Sequence, residues 1–194
     1  MSEIPVSVVI AYHSGYGHTT KMAEGVQEGV RSVAGAAVEV VEVGTLAEDD
    51  WARLDAADAV IFGSPTYMGS ASPAFHTFAA ASSERWQGQA WRDKIAAGFT
   101  TSGAMSGDKL NTLQYFTVLA AQHGMHWVNL DLLPGDTEND LNRIGGWLGV
   151  MGQCPGDQGA ESMRKGDLLT AAHLGRRVAE HALLLRTARE LVAA

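Results

Sequence analysis

Apolar positions along this chain switch repeatedly between two rhythms. Val6, Val8, Val9 and Ile10 make a β-branched run of the length and type that a buried strand uses. Met22, Val26, Val30 and Val33 then recur at steps of three and four, which is one face of a helix. Alternation over residues 38–43 predicts a second strand. Residues 49–54 predict a short helix, with Asp49 or Asp50 as its cap and Trp51 and Leu54 as its apolar edge. Residues 58–63 are apolar nearly throughout and predict a central third strand. Ser72 followed by Pro73 opens a helix that runs to about residue 82. A fourth strand is expected over 94–100. A helix from an Asp108 cap to His123 follows, with Leu110, Leu113, Thr117 and Ala120 inward and Gly124 ending it. The fifth strand is expected at 125–132. A last helix, 167–189, turns Leu168, Ala172, Val178, Ala182 and Leu185 inward.

Strands alternating with helices of this length imply an α/β, doubly wound parallel sheet. Residues 133–165 interrupt the rhythm. This Gly-rich segment carries Trp147, Met151 and Cys154, and the spacing of Leu141, Ile144 and Leu148 predicts a short helix packed on something, such as another subunit. The reading is a single domain over 1–194 with an insertion at about 133–165.

Composition narrows the partners more than the fold. The 194 residues are 46% hydrophobic and 19% charged, with a net charge of −8, which suits one full-sized core. That charge argues against nucleic acid or an anionic membrane as partner. One cysteine, Cys154, excludes an internal disulfide framework and fits a reducing compartment. MSEIPVS lacks a basic n-region, and no apolar run approaches the roughly 20 residues that span a bilayer. The expectation is a soluble, cytoplasmic protein.

The chemistry gathers where strands end. After the first strand comes Ser14-Gly15-Tyr16-Gly17-His18-Thr19-Thr20, and a helix starts directly behind it. Strand, tight loop and helix bring free amides and the positive end of a helix dipole to one point, which is an anion site. The plain alternative is that a hydroxyl caps the helix and glycine makes the turn. The P-loop pattern fails for want of Gly-Lys-Ser/Thr, and GxGxxG is met only at Gly15 and Gly17. Hydroxyls without lysine suit the phosphate monoester of a mononucleotide. The loops after strands three and four, residues 64–70 and 101–107, are also rich in Gly, Ser and Thr. In a parallel sheet all three lie beyond the carboxyl ends of the strands, where ligands bind. Tyr67 and Met68 are flat and polarisable contacts for a heterocycle.

SGYGHT at 14–19, GSPTYMGSASPAF at 63–75, Trp86, TTSGAMSG at 100–107 and AQHGM at 121–125 together resemble flavodoxin-like FMN proteins. The resemblance is closest to the tryptophan-repressor-binding-protein (WrbA-type) NAD(P)H:quinone oxidoreductases. It implies a flavodoxin-like five-stranded sheet of order 2-1-3-4-5 and homotetramers or dimers with one FMN per subunit. It puts the FMN phosphate on Ser14, Gly17, His18 and Thr19, with Gly15 and Tyr16 of the same loop also binding the cofactor. The isoalloxazine would lie against Pro65, Thr66, Tyr67, Met68 and Gly69, and against Thr101, Ser102, Gly103, Ala104, Met105, Ser106 and Gly107. His123 matches a histidine near the flavin and is the catalytic candidate; Tyr16 would meet NADH or NADPH, and Trp86 would wall the substrate pocket. A helix-end histidine and a core or interface tryptophan are the plain alternatives. The chain departs from the family where Arg-Phe is common after Pro-Thr, having Tyr67 and Met68, and at Ala104-Met105-Ser106, where glycines are common.

The implied activity is hydride transfer from NAD(P)H to flavin and then two electrons to a quinone. The cofactor does that chemistry, so neither a nucleophile nor a metal site is required. A one-electron carrier of the flavodoxin type and an FMN-binding scaffold without turnover are the alternatives.

Overall fold

The computed structural model describes residues 4–193. The β-branched run becomes β1 (Val6–Tyr12), followed by α1 (His18–Arg31), β2 (Ala36–Glu42), α2 (Glu48–Ala56) and β3 (Ala59–Tyr67). A two-residue β4 (Ser70–Ala71) turns back on β3. Then come α3 (Pro73–Ala81), α4 (Ser83–Gln87), β5 (Ile95–Ser102) and α5 (Lys109–Gln122). The chain closes with β6 (His126–Trp127), β7 (Val150–Gln153) and α6 (Lys165–Ala193). The parallel order is β2-β1-β3-β5-β6. With β5 as the fourth main strand, this is the expected flavodoxin-like arrangement.

Side-chain alternation along β1, β3 and β5 separates two cores. Val8, Ile10, Ile61 and Phe99 face Met22, Val26, Leu174 and Val178 of α1 and α6. Val9, Ala11, Phe62 and Ala96 face Leu54, Phe75, Phe78, Trp91 and Phe116. Helices α1 and α6 approach closely because they meet through glycine: a Cβ on Gly29 would overlap the Ala172 carbonyl, and one on Gly175 the Val26 carbonyl.

The outer edge departs from expectation. A continuous strand over 125–132 does not form. The fifth position is filled by two segments: His126 and Trp127 pair with Ile95 and Ala96, and Val150–Gln153 pair with Phe99–Ser102. The insertion therefore divides the fifth strand instead of following it. Residues 141–149 hold turns, not the short helix their spacing predicts. Leu148 packs on the body of its own chain, and its carbonyl accepts from Trp127 Nε1 at 2.8 Å. Two helix-end expectations change as well. Asp108 precedes α5 at φ 53° without a side-chain capping bond, and Leu110 is half exposed. Ser72 does cap α3, accepting from the Phe75 amide at 3.3 Å. Among the described residues no helix is long and apolar enough to cross a membrane.

Candidate functional site

The first loop is built by Ser14 and Gly17. Gly17 takes φ 86° immediately before α1, a conformation glycine adopts without steric cost. The Ser14 hydroxyl accepts from the Gly17 amide at 3.0 Å and the Thr20 amide at 3.3 Å. Ser14 thus braces the loop and takes one first-turn amide, although the N-cap itself is Gly17 with no side-chain cap, and the hydroxyl hydrogen is still free to donate outward. The amides of Gly15, Tyr16, His18 and Thr19 have no acceptor among the described residues. Together with the dipole of α1 they form a concavity whose donors suit an anion. Thr19 is buried and bonds Thr101 across the loops at 2.9 Å, which locks the first loop to the third. The His18 ring bonds the Gln158 carbonyl at 2.8 Å.

The second loop is a hairpin tip. Met68 and Gly69, at φ 47° and 85°, are the two central residues of the β3–β4 turn, the left-handed pair that a type I′ turn requires. Asn111 Nδ2 braces it by donating to the Gly69 carbonyl at 2.6 Å. Met68 stands fully exposed in a backbone conformation unfavourable for a side chain. The Tyr67 ring reaches across the first loop, so that a Cβ on Gly15 would strike its hydroxyl. It meets Tyr16 edge-on, with ring centroids 6.5 Å apart. Burial pushes the Tyr67 phenol up from its usual value, keeping it neutral. The Thr66 hydroxyl is buried between those of Thr100 and Thr112, at 2.8 Å from each, and serves the scaffold.

The third loop leaves β5 at Ser102. The amides of residues 103–107 have no acceptor among the described residues. Its carbonyls point the other way: Ala104, Met105 and Ser106 all accept from Lys109 Nζ, at 2.8, 2.9 and 3.4 Å. Lys109 is completely buried, and burial pulls its ammonium down to about 8. Nothing in the sequence marked it, because a lysine in a first helical turn reads as an ordinary surface residue.

The three loops meet around a hollow of about 150 Å³ lined by Ser14–Tyr16, His18, Thr19, Pro65–Tyr67 and Thr101–Gly103. Two further lining residues, Cys154 and Gly156, come from beyond β7. Only the divided fifth strand brings them there, so no spacing rule reveals them. The lining contains no carboxylate. Open amides, hydroxyls, a helix N-terminus and the absence of negative charge fit a phosphate dianion, and the FMN phosphate fits on those grounds. Met68 and Gly69 follow the lining residue Tyr67 in the chain and Ala104–Gly107 follow Gly103, so they belong to its rim and not to its lining; Met105 and Ser106 line a second hollow with Asp108 and Leu110.

His123 and Trp86 are not at this rim. Helix α5 runs antiparallel to β5, and fourteen residues span about 21 Å, carrying His123 to the other end of the sheet. There the Asp93 amide donates to the Gly124 carbonyl at 2.9 Å, and the His126 amide to Lys94, just before β5. His123 is buried against Trp91, ring centroids 4.4 Å apart, and Nε2 bonds Ser82 Oγ at 2.9 Å. Its Nδ1 is buried with no partner, and burial lowers its pKa. Trp86 lies half exposed above it. Within one chain, these two residues line a separate hollow.

Residues 5–133 match the family described as NADPH-dependent FMN reductase. A protein of Pseudomonas aeruginosa (strain UCBPP-PA14) named flavodoxin FldP is 40% identical over 175 residues, covering 88% of this chain and 94% of its own. An NAD(P)H dehydrogenase (quinone) of Geotalea uraniireducens (strain Rf4) is 33% identical over 202 residues, covering 93% and 99%. The solved structure of a WrbA-like flavodoxin from Agrobacterium tumefaciens superimposes with a TM-score of 0.75 at 45% identity, covering 92% and 98%. An archaeal flavodoxin, at 21% identity and a TM-score of 0.64, shares the fold. By this match, and with an anion hollow where the fold places one, the chain belongs to the NADPH-dependent FMN reductase family, flavin oxidoreductases that work with FMN and a nicotinamide nucleotide.

Proposed function

We propose that this protein carries two electrons from NADH or NADPH to a quinone through FMN. The observation that supports this most directly is the convergence of three strand-end loops on one hollow free of carboxylates, with open amides on two of them. Ser14 and the amides of Gly15, Tyr16, His18 and Thr19 hold the phosphate. The amides of residues 103–107 face the ring's polar edge, where donors stabilise negative charge. Exposed Tyr16, Met68 and Met105 offer aromatic and polarisable surface to the nicotinamide and the quinone. Bound FMN supplies the hydride-accepting and electron-donating chemistry. In balance, NAD(P)H and one proton convert a quinone to its hydroquinone. His123 has no part in this scheme within a single chain.

Steady-state oxidation of NADH and NADPH with benzoquinone and added FMN tests the reading. Turnover should fall at least about tenfold in Ser14→Asp, because a carboxylate in the hollow repels the phosphate. Unchanged turnover would remove the phosphate assignment. The relative named flavodoxin FldP favours a second reading, an electron carrier. Stepwise reduction separates the two: a carrier takes up its electrons in two well-separated one-electron steps and turns over poorly with quinone. A homo-oligomer in the cytoplasm completes the proposal. Exposed Leu110 and Val118, eight residues apart on the outer side of α5, and exposed Trp86 on α4 support the assembly, and a monomeric mass by light scattering would count against it.

A further inference from the structure

Two buried lysines in this chain each gather three main-chain carbonyls. Lys94 Nζ donates to Leu54, Asp55 and Ala57 at 3.2, 2.6 and 2.6 Å. These carbonyls close α2, where the helix dipole invites a cation. Its placement is explained by the scaffold. Lys109 is the opposite case. It is the first residue of α5, where the dipole disfavours positive charge, and its whole side chain is inside. Three carbonyls from residues 104–106 offset that cost. The scaffold alone gives no reason to bury a cation there. The consequence falls on the third loop: with its carbonyls drawn inward, the amides of 103–107 are left open.

We propose that Lys109 is a positioning residue for the flavin: its ammonium fixes the third loop with amides outward and sets a positive charge beneath them. This rests on the reading that FMN binds at this rim. Reduced flavin carries negative charge at the edge that such donors serve, so the cation favours both FMN binding and FMN reduction. The groups acting on Lys109 are Asp167 of α6, which favours its charge, and Arg143 of the insertion, which opposes it. Asp108 adjoins it in sequence. Arg143 and Asp167 hold each other in a buried pair, so their influences partly cancel and burial prevails.

The test measures the FMN dissociation constant by flavin fluorescence between pH 6.5 and 9.5, with the midpoint potential of the bound flavin. Over most of this range the phosphate is a dianion and the Tyr67 phenol, raised by burial, stays neutral. Wild-type affinity should fall about tenfold as pH rises through 8, as Lys109 loses its proton. Lys109→Met should bind FMN at least about tenfold more weakly at pH 7, with a flat pH profile and a lower midpoint potential. Lys109→Arg, which keeps its charge throughout, should bind near the wild-type level at pH 7 and hold that affinity to pH 9.5. Cys154→Ser should retain the inflection, which separates lysine from the thiol in the same hollow. The wild-type profile stands even if the Met variant fails to fold. A wild-type chain that binds FMN with no inflection, or a folded Met variant with unchanged affinity and potential, overturns the role of Lys109 alone. A wild-type chain that takes up no FMN overturns the rim assignment, and this role with it.

Discussion

Burying a histidine with one ring nitrogen unpaired makes stability depend on pH. His123 is stacked on Trp91 with Nδ1 orphaned, and burial lowers its pKa from the usual 6.5. Between that lowered value and 6.5 the unfolded chain binds a proton that the folded chain refuses. Folding stability is therefore lost as pH falls below about 6.5. Replacing His123 with Phe keeps a ring against Trp91 and removes the orphaned nitrogen. We expect urea unfolding at pH 7 and pH 5 to show a smaller loss for that variant than for wild type. An equal loss would assign the acid sensitivity elsewhere. At this scale the sequence was readable where local geometry sets the role. Ser14 and Gly17 act within a few residues of themselves, and strand–loop–helix spacing is enough to find them. His123 and Trp86 were legible only as matches to a family pattern, and a pattern does not say which end of the sheet a helix terminus reaches.

Among the elements, the pairing of α1 with α6 is the tightest contact between helices. Gly29 and Gly175 let the two backbones approach where any side chain would overlap a carbonyl. The obstacle is rigid main chain, so relief requires moving a helix. Gly29→Ala should cost about 1–3 kcal/mol or more, measurable as a lower denaturation midpoint, despite the gain in helix propensity. A neutral result would show that α6 can slide. The strands and helices were largely legible because each carries its own period: residues 6–10 lie in β1, 22–31 in α1 and 59–63 in β3, although Val33 falls beyond its helix and β3 runs on to Tyr67 through half of the expected loop. The fifth strand was not. Its apolar residues continue to Leu132, but only His126 and Trp127 join the ladder. Val150–Gln153 is too short and too far along the chain for periodicity to detect.

For the whole molecule, one buried ion pair ties the insertion to the body. Arg143 donates from Nε and Nη2 to the two carboxylate oxygens of Asp167, each at 2.7 Å. The same carboxylate accepts from the Gln153 amide at 2.9 Å, and Gln153 Nε2 donates to the Gly103 carbonyl at 2.9 Å. Final helix, insertion, outer strand and third loop are thereby joined. Arg143→Met leaves Asp167 buried without its partner and should cost about 3–5 kcal/mol. Thermal melts should show that loss, and faster amide exchange at 150–153, whose amides are tied into the β5 ladder and to Asp167, should accompany it. A stability loss with exchange unchanged at 150–153 would show that the outer strand stands without this tie. Nothing in the spacing of residues 103, 143, 153 and 167 announces the network, since it exists only once the divided strand has folded back.

That division also makes the outer edge modular. The detour leaves the sheet beside Ala96 and returns beside Phe99, three strand residues or about 10 Å further on. A segment whose two ends lie so near each other can be exchanged for another without altering the register of the inner strands. Descendants of such a chain can vary the detour and keep the inner strands unchanged, provided Arg143 still reaches Asp167.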